Sequence, residues 1–449
     1  MRFLKKHTWI LYAFFAIVLF PQSLTVQSKL DGRMIISGIA VDKEGSHYVV
    51  TAQCISINSG AKADGESAGM DFFTVNAPTV RDGILEIATR SGKEPGLAHL
   101  NYLVLGSSLF DEEMTGVIDF VLRDPHLDSA ILVLVAENAE AEIKQTKEME
   151  LSTAISLRKT FVDKQEASNG VLIVANEFIS NKYNPSKSAA VSFLEIEREN
   201  EPSNIAGSEK VGGSEETGDS GSSNSSSGNS SSSSSDSTSS NGSSNTTGTS
   251  SSSDGSGSQE LKKQGRLKYL SPIALFSDGL YRGKLNTEKD IMGFNFANIH
   301  SKSVIYGFTD IEDKQLGKAK ITLHSKEKSS KIRCKLKNGV PTLFVDIKLS
   351  KNALLEIISE KQEEQNLFKT QKSYLSKEVR KQISDQIRDC VISAFNTSKQ
   401  MGVDLFNSCN TFEEYNFKKY KEYFKTHTFE QYLNELQIEV DVKVSNFTG

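Results

Sequence analysis

One stretch of this chain has nothing to build a core with. Residues 207–258 contain "SGSSNSSSGNSSSSSSDSTSSNGSSNTTGTSSSSDGSGS". Such side chains bury too little apolar surface to offset the entropy of ordering, so the tract is expected to be a flexible coil. About 50 residues of this kind span roughly 35–40 Å on average. Everything that folds must therefore lie before or after it. The tract also explains why only 37% of the 449 residues are hydrophobic; the remainder has an ordinary globular composition. The length prior allows two to four domains.

The N-terminus reads as an export signal. Arg2, Lys5 and Lys6 make a basic start, residues 9–20 are an apolar run, and Pro21 ends it. Val26, Gln27 and Ser28 match the small-x-small pattern before a signal-peptidase cut. The run is shorter than the ~20 residues that span a bilayer comfortably. The expected boundaries are a signal peptide or uncleaved anchor at 1–28, folded parts at 29–206 and 263–449, and a linker at 207–262.

Strand and helix patterns alternate before the tract. "MIISGIAVD" and "HYVVTAQCISI" are β-branched runs joined by a turn at Gly45, which predicts a hairpin. Val80, Ile84, Ile87 and Ala88 fall at helical spacing, and Gly92 suits the C-terminal cap. "LNYLVLGSSL" predicts a strand. The next helix is expected to be capped by Asp111, with a stripe of Met114, Val117, Ile118, Val121 and Leu122. "AILVLVAE" predicts a buried strand and "AEAEIKQTKEM" a helix. "GVLIVANEFI" and "SAAVSFLEIE" read as further strands. This pattern predicts a mixed α+β, multi-domain chain with antiparallel sheets.

After the tract, Asp278-Gly279 and Asn338-Gly339 each sit between strand-like runs and predict hairpins. Val379, Ile383, Ile387, Val391, Ala394 and Met401 form one face of a helix. Thr411 to Glu414 fits a capping box opening an aromatic-rich helix. Leu436, Ile438, Val440, Val442 and Val444 alternate with polar residues, which predicts a strand with one wet face.

Chemistry-bearing motifs are missing from the sequence. It has no G-x-S-x-G, H-E-x-x-H or G-x-x-x-x-G-K-[ST]. His99, before a strand, reads as a structural histidine. Arg123 and Asp124 read as a local ion pair at a helix end. Cys54, Cys334, Cys390 and Cys409 form no C-x-x-C pair and lack histidines at ligand spacing, which argues against zinc. Buried thiols and a Cys390–Cys409 disulfide both remain open. With a net charge of −5 and no long basic run, nucleic acid is excluded as the expected partner. No catalytic, cofactor-binding or metal residue is assigned.

The ordered features resemble the Ger(x)C family of spore germination proteins, the C subunits of nutrient germinant receptors. The resemblance rests on "GRMIISGIAVDKEGSHYVVTAQCI" with Gly38 and Asp42, and on "HLNYLVLGSSLFDEEMTGVIDFVLRDPHLDSAILVLVAE" with His99, Gly106, Arg123 and Asp124. It continues in "ALFSDGLYRGKL" with Gly283, in the later helix followed by Asp404-Leu405-Phe406, and in the alternating terminal strand. It implies a non-enzymatic subunit without cofactors, built from three α+β domains on the outer face of the spore inner membrane. It also implies membrane-bound A and B subunits as partners and leaves direct contact with a small-molecule germinant open. Two features depart from the family pattern. The expected lipobox cysteine after the apolar run is absent, the first cysteine being Cys54, and the Ser-rich tract replaces a shorter connection. An exported cell-surface binding or adhesion protein that keeps the fold without receptor partners is the competing reading.

Overall fold

The structure is a computed structural model and describes residues 33–56, 69–148, 154–197, 266–359 and 376–446, apart from positions 113, 126, 315 and 316. The export segment 1–28, the Ser-rich linker 207–262 and the missing lipobox position lie outside these residues. The described residues before and after the tract pack as one compact unit.

The chain opens with β1 (Arg33–Glu44) and β2 (His47–Ser56), an antiparallel hairpin turning at Gly45, followed by β3 (Gly69–Ala77). Helix α1 (Val80–Ser91) stops at left-handed Gly92, as the sequence predicts, and starts where the Thr79 hydroxyl accepts from the Asp82 N–H. Next come β4 (Glu94–Gly96), β5 (Tyr102–Gly106), α2 (Met114–Arg123), β6 (Leu132–Ala136), α3 (Ala139–Gln145), α4 (Ala154–Glu166) and β7 (Ile173–Val174). Helix α5 (Ala175–Tyr183), β8 (Ser188–Ser192) and β9 (Ile196–Glu197) complete the first part.

These strands form a mixed sheet in the order β3-β2-β1-β5-β6-β7, with β4 added beside β1. The inner pairs β1–β5 and β5–β6 are parallel. Strands β5 and β6 are buried along their whole length, which is why their sequences are continuous apolar runs instead of alternating ones. Apolar side chains from α1, α2 and α5 fill one face of the sheet. Those of α3 and α4 fill the other, around Tyr102, Leu134 and Phe161.

The second part runs β10 (Arg266–Leu267), β11 (Ile273–Ser277), β12 (Leu280–Leu285), α6 (Glu288–Ala297), β13 (Val304–Asp313), β14 (Gly317–Lys337) and β15 (Val340–Ser359). It closes with α7 (Lys377–Gln400), α8 (Ser408–Tyr423), α9 (Phe429–Glu435) and β16 (Gln437–Val444). Both expected hairpin turns form, with positive φ at Asp278 and Gly279 and at Asn338 and Gly339. Strands β13-β14-β15-β16 make a second sheet. Strand β16 joins it parallel to β15, with Gln437, Glu439, Asp441 and Lys443 outward and Val442 and Val444 buried. The helices cover the other face, where Ile383, Ile387 and Val391 of α7 meet Ile321, Leu343 and Val345.

The two parts share a sheet. Strand β11, which follows the tract, pairs with β8, which precedes it, and with β12. Phe276 on β11 is buried in the first part's core, while Val171 from the first part is buried in the second's.

Several expectations are corrected. Helix α2 starts at Met114, so Asp111 lies too far upstream to cap it, and Leu122 is 44% exposed, off the buried stripe. "GVLIVANEFI" gives only the two-residue β7 before turning into α5; short apolar runs do not distinguish the two. Helix α8 begins at Ser408, before Thr411, and bends at Asn416. The capping box belongs to α9 and is made by Thr428 and Gln431. All four cysteines are buried free thiols, so Cys390 and Cys409 are not bonded.

Candidate functional site

The expected site residues fall into three places. The first surrounds Asp42, at the end of β1. Its carboxylate accepts the N–H groups of Ala139 (3.1 Å) and Glu140 (2.8 Å), the first turn of α3. Gly106 on β5 stands beside it. A Cβ at Gly106 would lie 1.8 Å from Asp42 Oδ1, so only glycine admits the carboxylate there. Burial pushes the Asp42 carboxyl above the usual range, against the lowering effect of the Glu140 and Ala139 amides. Gly38 is a second close approach, since its Cβ would fall 2.4 Å from Cζ of buried Tyr102, whose hydroxyl donates to Gln53.

The second place is the surface of the first part. His99 is exposed, and its backbone carbonyl accepts from Asn101. Arg123 pairs with Asp119 one turn back along α2, while Asp124 pairs with Arg81 of α1. The expected Arg123–Asp124 pair is therefore replaced by two others, because α2 continues through Arg123 and carries its guanidinium over Asp119.

The third place is the seam between the parts. Asp404 is 2% exposed and accepts from Ser408 N–H (2.9 Å), Ser408 Oγ (2.7 Å), Cys409 N–H (2.8 Å) and Ser186 Oγ (2.7 Å). Three of these bonds fix the start of α8; the fourth reaches across to the first part. Ser186 is held in turn by Asn410, and the Asp404 N–H donates to Ser188 Oγ at 3.1 Å. Burial pushes the Asp404 carboxyl up, opposed by those same bonds. Gly283, on β12 of the shared sheet, packs against Met401 just before this turn.

Two clefts flank this knot. The one between α5, β14 and α8 has a volume of about 420 Å³, and residues 188–190, Val403 and residues 405–407 line it together with Glu177, His300 and Tyr415. The other, about 480 Å³, is lined by residues 183–185, Cys409 and the aromatic side chains of Tyr420, Phe424 and Phe429. Neither Ser186, Glu177 nor His300 stands out in the sequence, because nothing local marks them; their roles arise from contacts far apart along the chain.

Two lysines are buried, Lys164 at the seam and Lys328 within the second part. Lys164 on α4 donates to Ser271 Oγ (2.7 Å) and to the Lys268 carbonyl. Lys328 on β14 donates to the Asn298 carbonyl at 2.7 Å. Desolvation lowers them to about 8 and about 7. Among the described residues no cluster of three or more His, Cys, Asp or Glu side chains could hold a metal ion.

Two family models match the chain in order. Residues 27–196 match the family model described as "Spore germination protein N-terminal domain". Residues 271–445 match "Spore germination B3/ GerAC like, C-terminal". A solved structure entitled "Crystal Structure of the GerBC protein" is similar at 11% identity and a TM-score of 0.43, covering 91% of this chain and 96% of that one. No curated protein matches.

Proposed function

The chain belongs to the Ger(x)C family of spore germination proteins, and on that premise we propose that it is the C subunit of a nutrient germinant receptor. In this reading it lies outside the cytoplasmic membrane and assembles with membrane-bound A and B subunits to trigger germination. The observation that carries the reading is the match of both family domains, in order, on either side of the Ser-rich tract. The compact unit formed by the two parts fits a subunit that presents one continuous surface to its partners.

No described helix is long and apolar enough to cross a membrane. We assign membrane attachment to residues 9–20 left uncleaved, or to the partner subunits. Mass spectrometry of the mature N-terminus from membrane fractions separates the two: a chain starting at Lys29 that is still membrane-bound is held by its partners. The assembly itself is tested by affinity purification from detergent-solubilised spore membranes. Co-purification of a multi-pass subunit supports the receptor reading. Its repeated absence, together with normal germination after deletion of the gene, rejects it.

A further inference from the structure

We propose that the cleft between α5, β14 and α8 binds a small organic cation, an ammonium group carried on an apolar body. Four observations converge on this chemistry. The cleft's volume of about 420 Å³ lies in the range of small-molecule sites. Its floor is apolar, built from Val171, Ile173, Val403 and Leu405 with Phe294 and Phe406 stacked above one another.

The Glu177 carboxylate faces this space. It makes no hydrogen bond or ion pair with any described residue, and the surrounding protein pushes it above the usual carboxylate range, with His300 opposing. Glu177 is an exposed carboxylate on the wall of this cleft, and having no partner of its own it is open to a charge-assisted bond from an incoming ammonium. Elsewhere on the molecule, exposed carboxylates such as Glu166, Asp346 and Glu439 have found cations.

Charge and rim complete the case. Two carboxylates, Glu177 and Glu414, line the cleft with one permanent cation, Lys331. At the mouth, Tyr415 is 64% exposed and Ile299 is 58% exposed, which offers an aromatic face for an ammonium and an apolar ledge for its chain. The His300 wall is pre-formed: its N–H donates to Asn298 Oδ1, the Lys302 and Ser303 amides bond the Glu166 carbonyl, and Lys328 holds the Asn298 carbonyl. Such a wall binds without paying to order itself.

The test is calorimetric titration of the full-length chain with n-hexylammonium, hexan-1-ol and hexanoate. Saturable one-site binding of n-hexylammonium is expected, with hexan-1-ol and hexanoate weaker by at least about tenfold. Glu177→Gln removes the charge and breaks no bond in the protein, so it should fold as the wild type and lose about tenfold in affinity for the amine. Tyr415→Ala, at an exposed position, should weaken the amine as well. Absence of wild-type binding overturns the proposal. So does equal affinity of wild type and Glu177→Gln, or tighter binding of hexanoate than of the amine.

Discussion

Replacing Asp404 by alanine should destabilise the whole compact unit, beyond the start of α8. Four donors lose their acceptor: Ser408 N–H, Ser408 Oγ, Cys409 N–H and Ser186 Oγ. Each buried donor left alone costs about 1–3 kcal/mol. The Ser408 hydroxyl has a second partner in Tyr432 Oη at 2.8 Å, so it can be reused. The two backbone amides have no such alternative. Removing a desolvated carboxylate returns part of the loss. The expected net cost is about 2–4 kcal/mol. Ser186→Ala should cost about 1 kcal/mol. Because Ser186 and Asp404 share a bond, the double variant should cost less than the two single losses added, with a coupling of about 1 kcal/mol. The assay is urea unfolding of the full-length chain followed by circular dichroism. The only tryptophan, Trp9, lies outside the described fold. A loss below about 1 kcal/mol for Asp404→Ala, or strict additivity with Ser186→Ala, would refute the view that this carboxylate ties the parts together.

Other perturbations test other parts of the structure. Gly106→Ala should cost about 1–3 kcal/mol by overpacking against Asp42, and much of that loss should vanish in an Asp42→Ala background; an unchanged cost there, measured by the same unfolding assay, would show the clash is not with Asp42. Lys328 is lowered to about 7 in the fold from 10.5, so the unfolded chain binds more protons between those values. Stability relative to Lys328→Met should therefore rise as pH climbs from about 7 to about 10.5 and be flat below; thermal melts across this range check the slope. Burial raises the thiols of Cys54 and Cys334 to about 12 and that of Cys390 to about 11. Folded protein at pH 8 should thus resist a thiol-specific reagent, with all four cysteines labelled only in denaturant.

Local features were readable from sequence because their causes are local. The Gly92 cap, the Asp278-Gly279 and Asn338-Gly339 turns and the alternation of β16 each depend on a few adjacent residues. The capping-box pattern misled at Thr411 because Asp404, seven residues upstream, already supplies acceptors to Ser408 and Cys409 and starts α8 earlier. Residues 170–179 misled because an apolar run fits either a strand or a buried helix. The pairing of β8 with β11 was illegible: strand sequences carry their burial pattern but not the identity of a distant partner. The cleft was hidden for the same reason, since Glu177, His300 and Tyr415 come from three separate stretches of chain.

The shared sheet also sets a timetable. A chain is made from its N-terminus, so the first part emerges long before β11 exists. Until Phe276 arrives, Phe178 of α5 and Phe110, which it packs against, lack that cover, and β8 presents an unpaired edge. The first part must wait through the entire Ser-rich tract in that exposed state. A tract so poor in apolar side chains offers the waiting half little to bind wrongly.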